Sequence, residues 1–501
     1  MVKNEKIDLF ILLLTSLLLT VYLFFHPYVI SLDGAFQFIP IAKLFAVGSF
    51  KDALSYTGQQ PLYPFFISFV FRWIPDFELA GRLVSSIFGI LVVFPAYHLG
   101  KRIFDQKIAF LGVLFFIIHP YVWRFSTEVL KESTYLFFLA TTLWFAWRAI
   151  QDERTTSFLF IPFFSVLAYL VRPDGFELLL VVFFYVFFIK KFSSPGRKRK
   201  VILFLLVSSA LLFLPYLFHL REVGGEWTLS KVKTIEGMLG LRAVSDPVSL
   251  ASKIPFSLKR LNYEIFLTFH VVYMFFLVIG AGKRVLHRPK MGEGFLLIFV
   301  LFHYAVLFLV LLNTTEWGSG ETLRAVHMSR RHALPLLLVS IYWIADGFMT
   351  SYQFISKKVQ SHPWLTRIDS RRKSGILFTI VSILILSLLF PKILKPQRVE
   401  RLPEKWAGLW MKDQYGVGTT IFTTVPLVAY YASGNVEYID AKKNTLDKVK
   451  TSMVEKKAVY LVIREKERIY FPKETLEKSF VQINRFEGKG VGKVIIYKRV
   501  D

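Results

Sequence analysis

The sequence predicts a polytopic α-helical membrane protein of about eleven transmembrane helices, followed by a soluble α/β domain on the outer face. Three observations carry this. Of 501 residues, 54% are hydrophobic and 17% aromatic, with a mean hydropathy of +0.47. The apolar residues fall in long runs, and at about Lys392 the composition turns polar with strand-like alternation.

The runs have the length a bilayer demands, about 20 mostly apolar residues per helix. Examples are Leu9 to Ile30, Phe176 to Ile189, Val201 to Leu220, Phe295 to Leu312 and Ile376 to Phe390. Backbone groups in hydrocarbon must pair within their own segment, so such runs form helices. Several are rich in Phe and Leu without period-two alternation, which argues against a membrane barrel. Lys3 and Lys6 precede the first run as in a signal peptide, but no small-residue cleavage site follows it, so it reads as an uncleaved first helix. Cysteine is absent, which excludes disulfides and thiolate metal sites.

The net charge of +26 is not a nucleic-acid footprint, because much of it lies in short loops between apolar runs. One alternating set of loops (1–7, 101–107, 148–154, 190–200, 283–290 and 351–373) holds 23 Lys and Arg in 63 residues. The opposite set (31–78, 121–133, 171–175, 221–262 and 313–331) holds 16 in 127. The positive-inside rule places the first set and the N-terminus in the cytoplasm. With eleven crossings, residues 392–501 emerge outside, and 1–391 form the membrane domain. Within loop 31–78, Pro61 to Trp73 is short for a span, and a crossing there would move Lys101 and Arg102 outside. It and Ile39 to Phe50 read as interfacial helices. Residues 392–501 carry net charge +9, with strands expected at Thr419–Thr424, Ala458–Arg464, Phe480–Phe486 and Lys493–Arg499 and a helix at Pro426–Ala432.

Chemistry-bearing residues then concentrate on the expected outer side. Asp33, in Ser31-Leu32-Asp33-Gly34, can act as a general base where a hydroxyl reaches it. Alternatively Ser31 or Asp33 caps the helix that follows. Glu128 and Glu132 stand four residues apart beside Lys131, which would place them on one helical face. Acidic residues also favour a helix N-terminus through its dipole. Arg172-Pro173-Asp174-Gly175 breaks an apolar stretch into two spans, and its Arg–Asp pair suits closing the turn. Arg324, Arg330 and Arg331 run against the charge trend. Arginine clusters hold phosphate through paired N–H donors, or contact lipid headgroups. The histidines (among them His26, His119, His270, His303, His327 and His332) form no HxxxH or HxxEH pattern, and no Walker loop or nucleophile elbow sits in a suitable strand–helix context.

In order along the chain, these stretches resemble the membrane-embedded glycosyltransferases of the C superfamily. The resemblance is to the branch of protein O-mannosyltransferases and the lipid A aminoarabinose transferase. Asp33-Gly34-Ala35-Phe36 is similar to the acidic site in that family's first outer loop. Gln59-Gln60-Pro61-Leu62-Tyr63-Pro64 resembles its His-Pro-Pro-Leu-Tyr-Pro signature, which makes Gln60 and Tyr63 candidate substrate contacts. Ala80-Gly81-Arg82-Leu83-Val84-Ser85-Ser86 is similar to its Ala-Ala-Arg-Leu-x-Ser run. Glu132 opens a helix like its second acidic site, and Arg172-Pro173-Asp174-Gly175 and Arg330-Arg331-His332 also have counterparts.

The resemblance implies an inverting transfer from a polyprenyl (undecaprenyl or dolichyl) monophosphate sugar to a lipid, glycan or protein acceptor at the outer face of the cell membrane, among membrane lipids and with no nucleic acid. It assigns Asp33 as base and Glu132 as its partner. Arg172, Arg324, Arg330 and Arg331 become phosphate ligands, and Glu128 a further substrate contact. Asp33 and Glu132 are also the candidate ligands of any divalent metal cation. The departures are Asp-Gly where many members carry two acids, and Gln59-Gln60 for His-Pro, which leave metal use and acceptor class open. Competing readings are an O-antigen-type ligase using a diphosphate-linked donor and a secondary transporter. A transporter would show mid-span acids and two related halves with broken helices.

Overall fold

The structure, a computed structural model, describes the chain except residues 1–3, 57–58, 154, 191, 229–249, 288–289, 318–322, 326–327, 361–369, 395–397, 442, 489–491 and 501. The chain divides into two units. The first comprises Met1–Phe24 and Gln37–Leu394, and the second Phe25–Phe36 and Lys395–Asp501.

The regular structure of the first unit, among the described residues, is helical apart from a two-stranded antiparallel ribbon, β1 (Thr315–Trp317) with β2 (Leu323–Ala325). Among the described residues, seven helices are long and apolar enough to cross a membrane: Glu5–Phe24, Phe77–Ile103, Pro195–Gly224, Ala251–Arg284, Met291–Thr314, Arg330–Lys358 and Gly375–Ile393. Five shorter apolar segments accompany them, including Gln106–Ile117, Thr156–Val171 and Gly175–Ile189. Their starts follow local chemistry: Asp76, Asp105 and Ser194 accept from the backbone N–H three residues on, satisfying donors a helix cannot pair internally. Large apolar side chains stand exposed along several of these helices, Leu203, Leu211 and Val278 each above 60%. A lipid-facing surface has this character, and the chain is a multi-pass membrane protein.

The span Arg330–Lys358 sits at the centre of this unit, with 94% of its apolar window buried. It packs on helix Leu250–His287 through two glycines. A Cβ on Gly347 would lie 1.9 Å from the Phe276 carbonyl oxygen, and one on Gly280 1.9 Å from that of Trp343. Small residues permit this approach where apolar burial gives no drive between helices. Helix Leu250–His287 is broken at His270, which has φ 66°. Loop 31–78 holds only short helices, Ile39–Ala46, Phe50–Ser55 and Leu62–Phe71 after a π-turn at Gly34–Phe38. At 1.5 Å per residue none approaches the ~30 Å of a hydrocarbon core.

The second unit is an α/β domain on a five-stranded sheet of order β4-β3-β5-β7-β6. The strands are β3 (Thr420–Thr423), β4 (Asn435–Tyr438), β5 (Tyr460–Arg464), β6 (Phe480–Phe486) and β7 (Val494–Arg499). β4, β3 and β5 run parallel, and β7 pairs antiparallel with both β5 and β6. Alternation divides the core between two faces. Ile421, Val462 and Ile496 pack with Ala407, Met411 and Val428, while Phe422, Leu461 and Ile495 pack with Val449, Met453 and Leu476. The four expected strands and the helix at Pro426–Tyr431 are present; the short polar edge strand β4 was not foreseen. The expected boundary at 391/392 falls at 394/395, and Phe25–Phe36 groups with this unit, whose Lys405, Arg398 and Tyr431 hydrogen-bond the backbone of Tyr28, Val29 and Ile30.

Candidate active site

Four elements of the first unit bring charged side chains together: the start of helix Glu132–Asp152, the turn after Val171, the 3-10 turn Arg330–Ala333 and the segment at Gln59. Glu132 is 2% exposed at the N-terminus of its helix, where the dipole favours a carboxylate. The Arg331 guanidinium stands 3.6 Å away. The other carboxylate oxygen, Oε2, is buried and has no hydrogen-bond partner among the described residues.

Lys131 donates to Gln59 Oε1 at 2.7 Å and lies 5.8 Å over the Phe38 ring. Gln59 in turn donates to Gln37. Burial, followed by the charge of Arg172, pulls the Lys131 ammonium down to about 8, with Arg331 acting the same way and Glu132 and Asp174 opposing. Three cations and two carboxylates therefore share one neighbourhood. Arg172 pairs with Asp174, and its guanidinium stacks 4.8 Å over the Tyr135 ring, whose buried hydroxyl has no partner among the described residues. Burial alone would raise the Asp174 carboxyl, but Arg172 together with the other basic groups around it, Lys131 among them, outweighs burial and holds the group charged below the ordinary range. Gly175 permits the turn: a Cβ there would meet the Tyr169 nitrogen at 2.2 Å.

A second buried pair braces the 3-10 turn. His303 Nε2 lies 3.1 Å from the His332 carbonyl and Nδ1 2.8 Å from Glu177 Oε2. A carbonyl only accepts, so Nε2 carries a hydrogen, and a further proton is shared between Nδ1 and Glu177. Charge and hydrogen bond together tie the Arg331 turn to two neighbouring helices.

Of the residues expected from sequence, Glu132, Arg172 and Arg331 converge. Glu128 does not share Glu132's face. The helix begins only at Glu132, and fully buried Glu128 takes Arg124 Nε at 3.0 Å in the turn before it. Arg330 turns elsewhere, to the Tyr121 hydroxyl and to Glu264 at 4.0 Å. Tyr63 is fully buried and braces Ser85 Oγ at 2.9 Å and the Gly81 carbonyl at 3.2 Å, so it is a packing residue. Gln60 is buried too, accepting from the Tyr216 hydroxyl at 2.6 Å. Arg324 lies in β2 opposite Glu316, and its side chain is outside the described residues, as is His327. Lys131, Asp174, Gln59 and the Glu177–His303 pair were missed as site residues. Lys131 and Asp174 were noticed in sequence only as neighbours of other candidates.

Asp33 lies in the second unit and is half-buried. Ser31 Oγ accepts from Gly34 N–H at 2.9 Å, so Ser31 fills the capping role that the sequence left open between the two residues. Among the described residues no three His, Asp or Glu side chains gather as a metal site. Glu132 has three cations within electrostatic reach, and these would oppose a divalent ion there.

The dolichyl-phosphate-mannose-protein mannosyltransferase family matches residues 58–219, a stretch that contains Gln59, Lys131, Glu132 and Arg172. No protein of curated function matches by sequence. Among solved structures, ArnT from Cupriavidus metallidurans bound to undecaprenyl phosphate superposes with TM-score 0.62 at 11% identity, over 99% of each chain. The Archaeoglobus fulgidus oligosaccharyltransferase in its apo form gives 0.59 at 13%, over 95% of this chain and 73% of that one. The same organism's oligosaccharyltransferase AglB, in complex with an inhibitory peptide and a dolichol-phosphate, gives 0.51 at 12%, over 91% and 69%. The resemblance read from the motifs is borne out: this chain has the fold of the C superfamily of membrane glycosyltransferases.

Proposed function

We propose that the protein is an inverting glycosyltransferase that moves a sugar from a polyprenyl monophosphate to a lipid, glycan or protein acceptor at the outer membrane face. The observation that carries this is the convergence of Lys131, Arg172 and Arg331 around Glu132. Two of the superposed proteins were solved with undecaprenyl phosphate and dolichol-phosphate, which supports a lipid phosphate as the ligand.

Counting Lys131, Arg172 and Arg331 against Glu132 and Asp174 leaves one net positive charge. A sugar-phosphate diester bears one negative charge, whereas a diphosphate-linked donor bears two, so the balance favours the monophosphate. As the glycosidic C–O bond breaks, its electron pair goes to the phosphate, and the three cations stabilise charge that grows toward the transition state. The acceptor oxygen attacks the anomeric carbon from the opposite side and gives its proton to a base. Asp33 is the proposed base, on its match to the family's first acidic site. Glu132 keeps Arg331 aimed and orients the acceptor. Arg330 serves the donor less directly than Arg331.

Purified protein incubated with undecaprenyl- and dolichyl-phosphate hexoses and pentoses, and in parallel with diphosphate-linked donors, with native membrane extract as acceptor, tests this. Transfer from at least one monophosphate donor is expected. Transfer only from diphosphate-linked donors would overturn the reading.

A further inference from the structure

The second unit contains both the C-terminal α/β domain and residues Phe25–Phe36, the segment that carries Asp33. Three C-terminal side chains grip three consecutive residues of that segment by their backbone. The Ile30 N–H donates to the Tyr431 hydroxyl at 2.9 Å. Lys405 Nζ donates to the Tyr28 carbonyl at 3.0 Å, and Arg398 to the Val29 carbonyl at 3.4 Å. Lys405 also lies 5.0 Å over the Tyr431 ring, which binds two of the three anchors to each other. On the far side of Asp33, Phe36 meets the Tyr430 ring edge-on at 6.3 Å.

The segment is therefore held on both sides of Asp33. Ile30 is fully buried, so its N–H needs a partner inside the protein, and Tyr431 supplies it. Directly after Ile30, the Ser31–Gly34 bond closes the turn from which Asp33 projects. Each anchor addresses a backbone atom, so it fixes the course of the main chain whatever side chains residues 28–30 carry. Tyr431 ends the short helix that follows β3, which sets its hydroxyl on the sheet scaffold.

We propose that the C-terminal domain holds the catalytic base, with Tyr431, supported by Lys405, as the positioning residue that fixes the Asp33 turn. This rests on the reading of Asp33 as the base. A general base works only when its oxygen meets the acceptor proton within hydrogen-bond reach, so a loosened turn lowers turnover while leaving donor binding intact.

The test uses the full-length protein in nanodiscs and measures sugar released from polyprenyl-phosphate sugars, to extract acceptors or to water. Tyr431→Phe keeps the ring and removes the hydroxyl. It is expected to lower kcat about tenfold, with donor KM changed by less than about twofold. The discriminating readout is a double-mutant cycle with Asp33→Asn. If Tyr431 acts through Asp33, Tyr431→Phe costs nothing further once the base is gone; an independent structural role would lower the residual rate again. Should Tyr431→Phe fail to fold, Lys405→Met, which keeps an apolar stem, carries the same expectations at the Tyr28 carbonyl. Wild-type kcat in the folded variant, or an equal loss in both backgrounds, overturns the proposal. Full transfer by Asp33→Asn alone would instead overturn the reading of Asp33 as base.

Discussion

Replacing Arg331 with Ala should weaken donor binding far more than replacing Arg330, although the two are adjacent in sequence. The Arg331 guanidinium is 3.6 Å from Glu132, with side chains 30% and 2% exposed respectively. Breaking a fully buried pair costs about 3–5 kcal/mol and a surface pair about 0–1 kcal/mol, so this half-wet pair should contribute about 1–3 kcal/mol to stability. For the ligand, a hydrogen bond from a charged donor is worth about 1.5–3 kcal/mol, or roughly 10–100-fold in Kd. The bared Glu132 carboxylate then repels the phosphate and adds to the loss. Arg331→Lys should recover part of it, since it keeps the charge without the paired donors. Binding of undecaprenyl phosphate to purified variants in nanodiscs, read beside their melting temperatures, gives both quantities. Arg330→Ala should stay within about threefold of wild type, because its contacts are Tyr121 and Glu264. Equal losses in the two Ala variants, or none in Arg331→Ala, would refute the assignment of the site to Arg331.

Three further outcomes are expected. With its ammonium pulled down to about 8, Lys131 is a full cation only well below that value and loses its charge as pH rises through it, so affinity for undecaprenyl phosphate should fall on the alkaline side. Lys131→Arg should move that fall to higher pH, and an unmoved profile would remove Lys131 from the site. Gly347→Val places a branched side chain against the Phe276 carbonyl and should cost more than about 3 kcal/mol, seen as a lowered melting temperature or lost expression, while Gly294→Val, where nothing lies within 4 Å, should be mild. Single cysteines at Glu226 and Asn435 should react with an impermeant reagent in intact cells and those at Arg199 and Lys358 should not; the reverse pattern would invert the orientation read from charge.

The membrane class was legible because hydrocarbon imposes one rule on every backbone group, and long apolar runs are its direct trace. The sheet was legible for the same kind of reason, since β5, β6 and β7 alternate between two packed faces. What escaped depended on geometry that spacing does not determine. Glu128 and Glu132 have helical spacing, yet the helix begins only at Glu132, and Glu128, in the turn before it, pairs with Arg124. Arg330 and Arg331 look like one cluster, but successive residues of a 3-10 turn point about 120° apart and so meet different partners. Lys131 stood in plain view between two glutamates, and only the approach of Arg172 and Arg331 from distant parts of the chain gives it a role. The grip of Tyr431 on Ile30 joins residues 401 positions apart, and neither local sequence announces it.

The departure from the family signature now has a physical account. Gln59 stands in place of the signature histidine, and its amide accepts from Lys131 while donating to Gln37. A histidine at this position could gain a proton, and a fourth positive charge would then depend on pH. An amide is neutral at every pH, and its two ends do different work. The carbonyl end fixes the Lys131 ammonium through one hydrogen and leaves two for a ligand. Gln60 completes the substitution by bonding Tyr216 of helix Pro195–Gly224 rather than facing a charge. The pair thus aims a cation without adding to the count of charges, and that count is what the proposed preference for a phosphodiester over a diphosphate rests on.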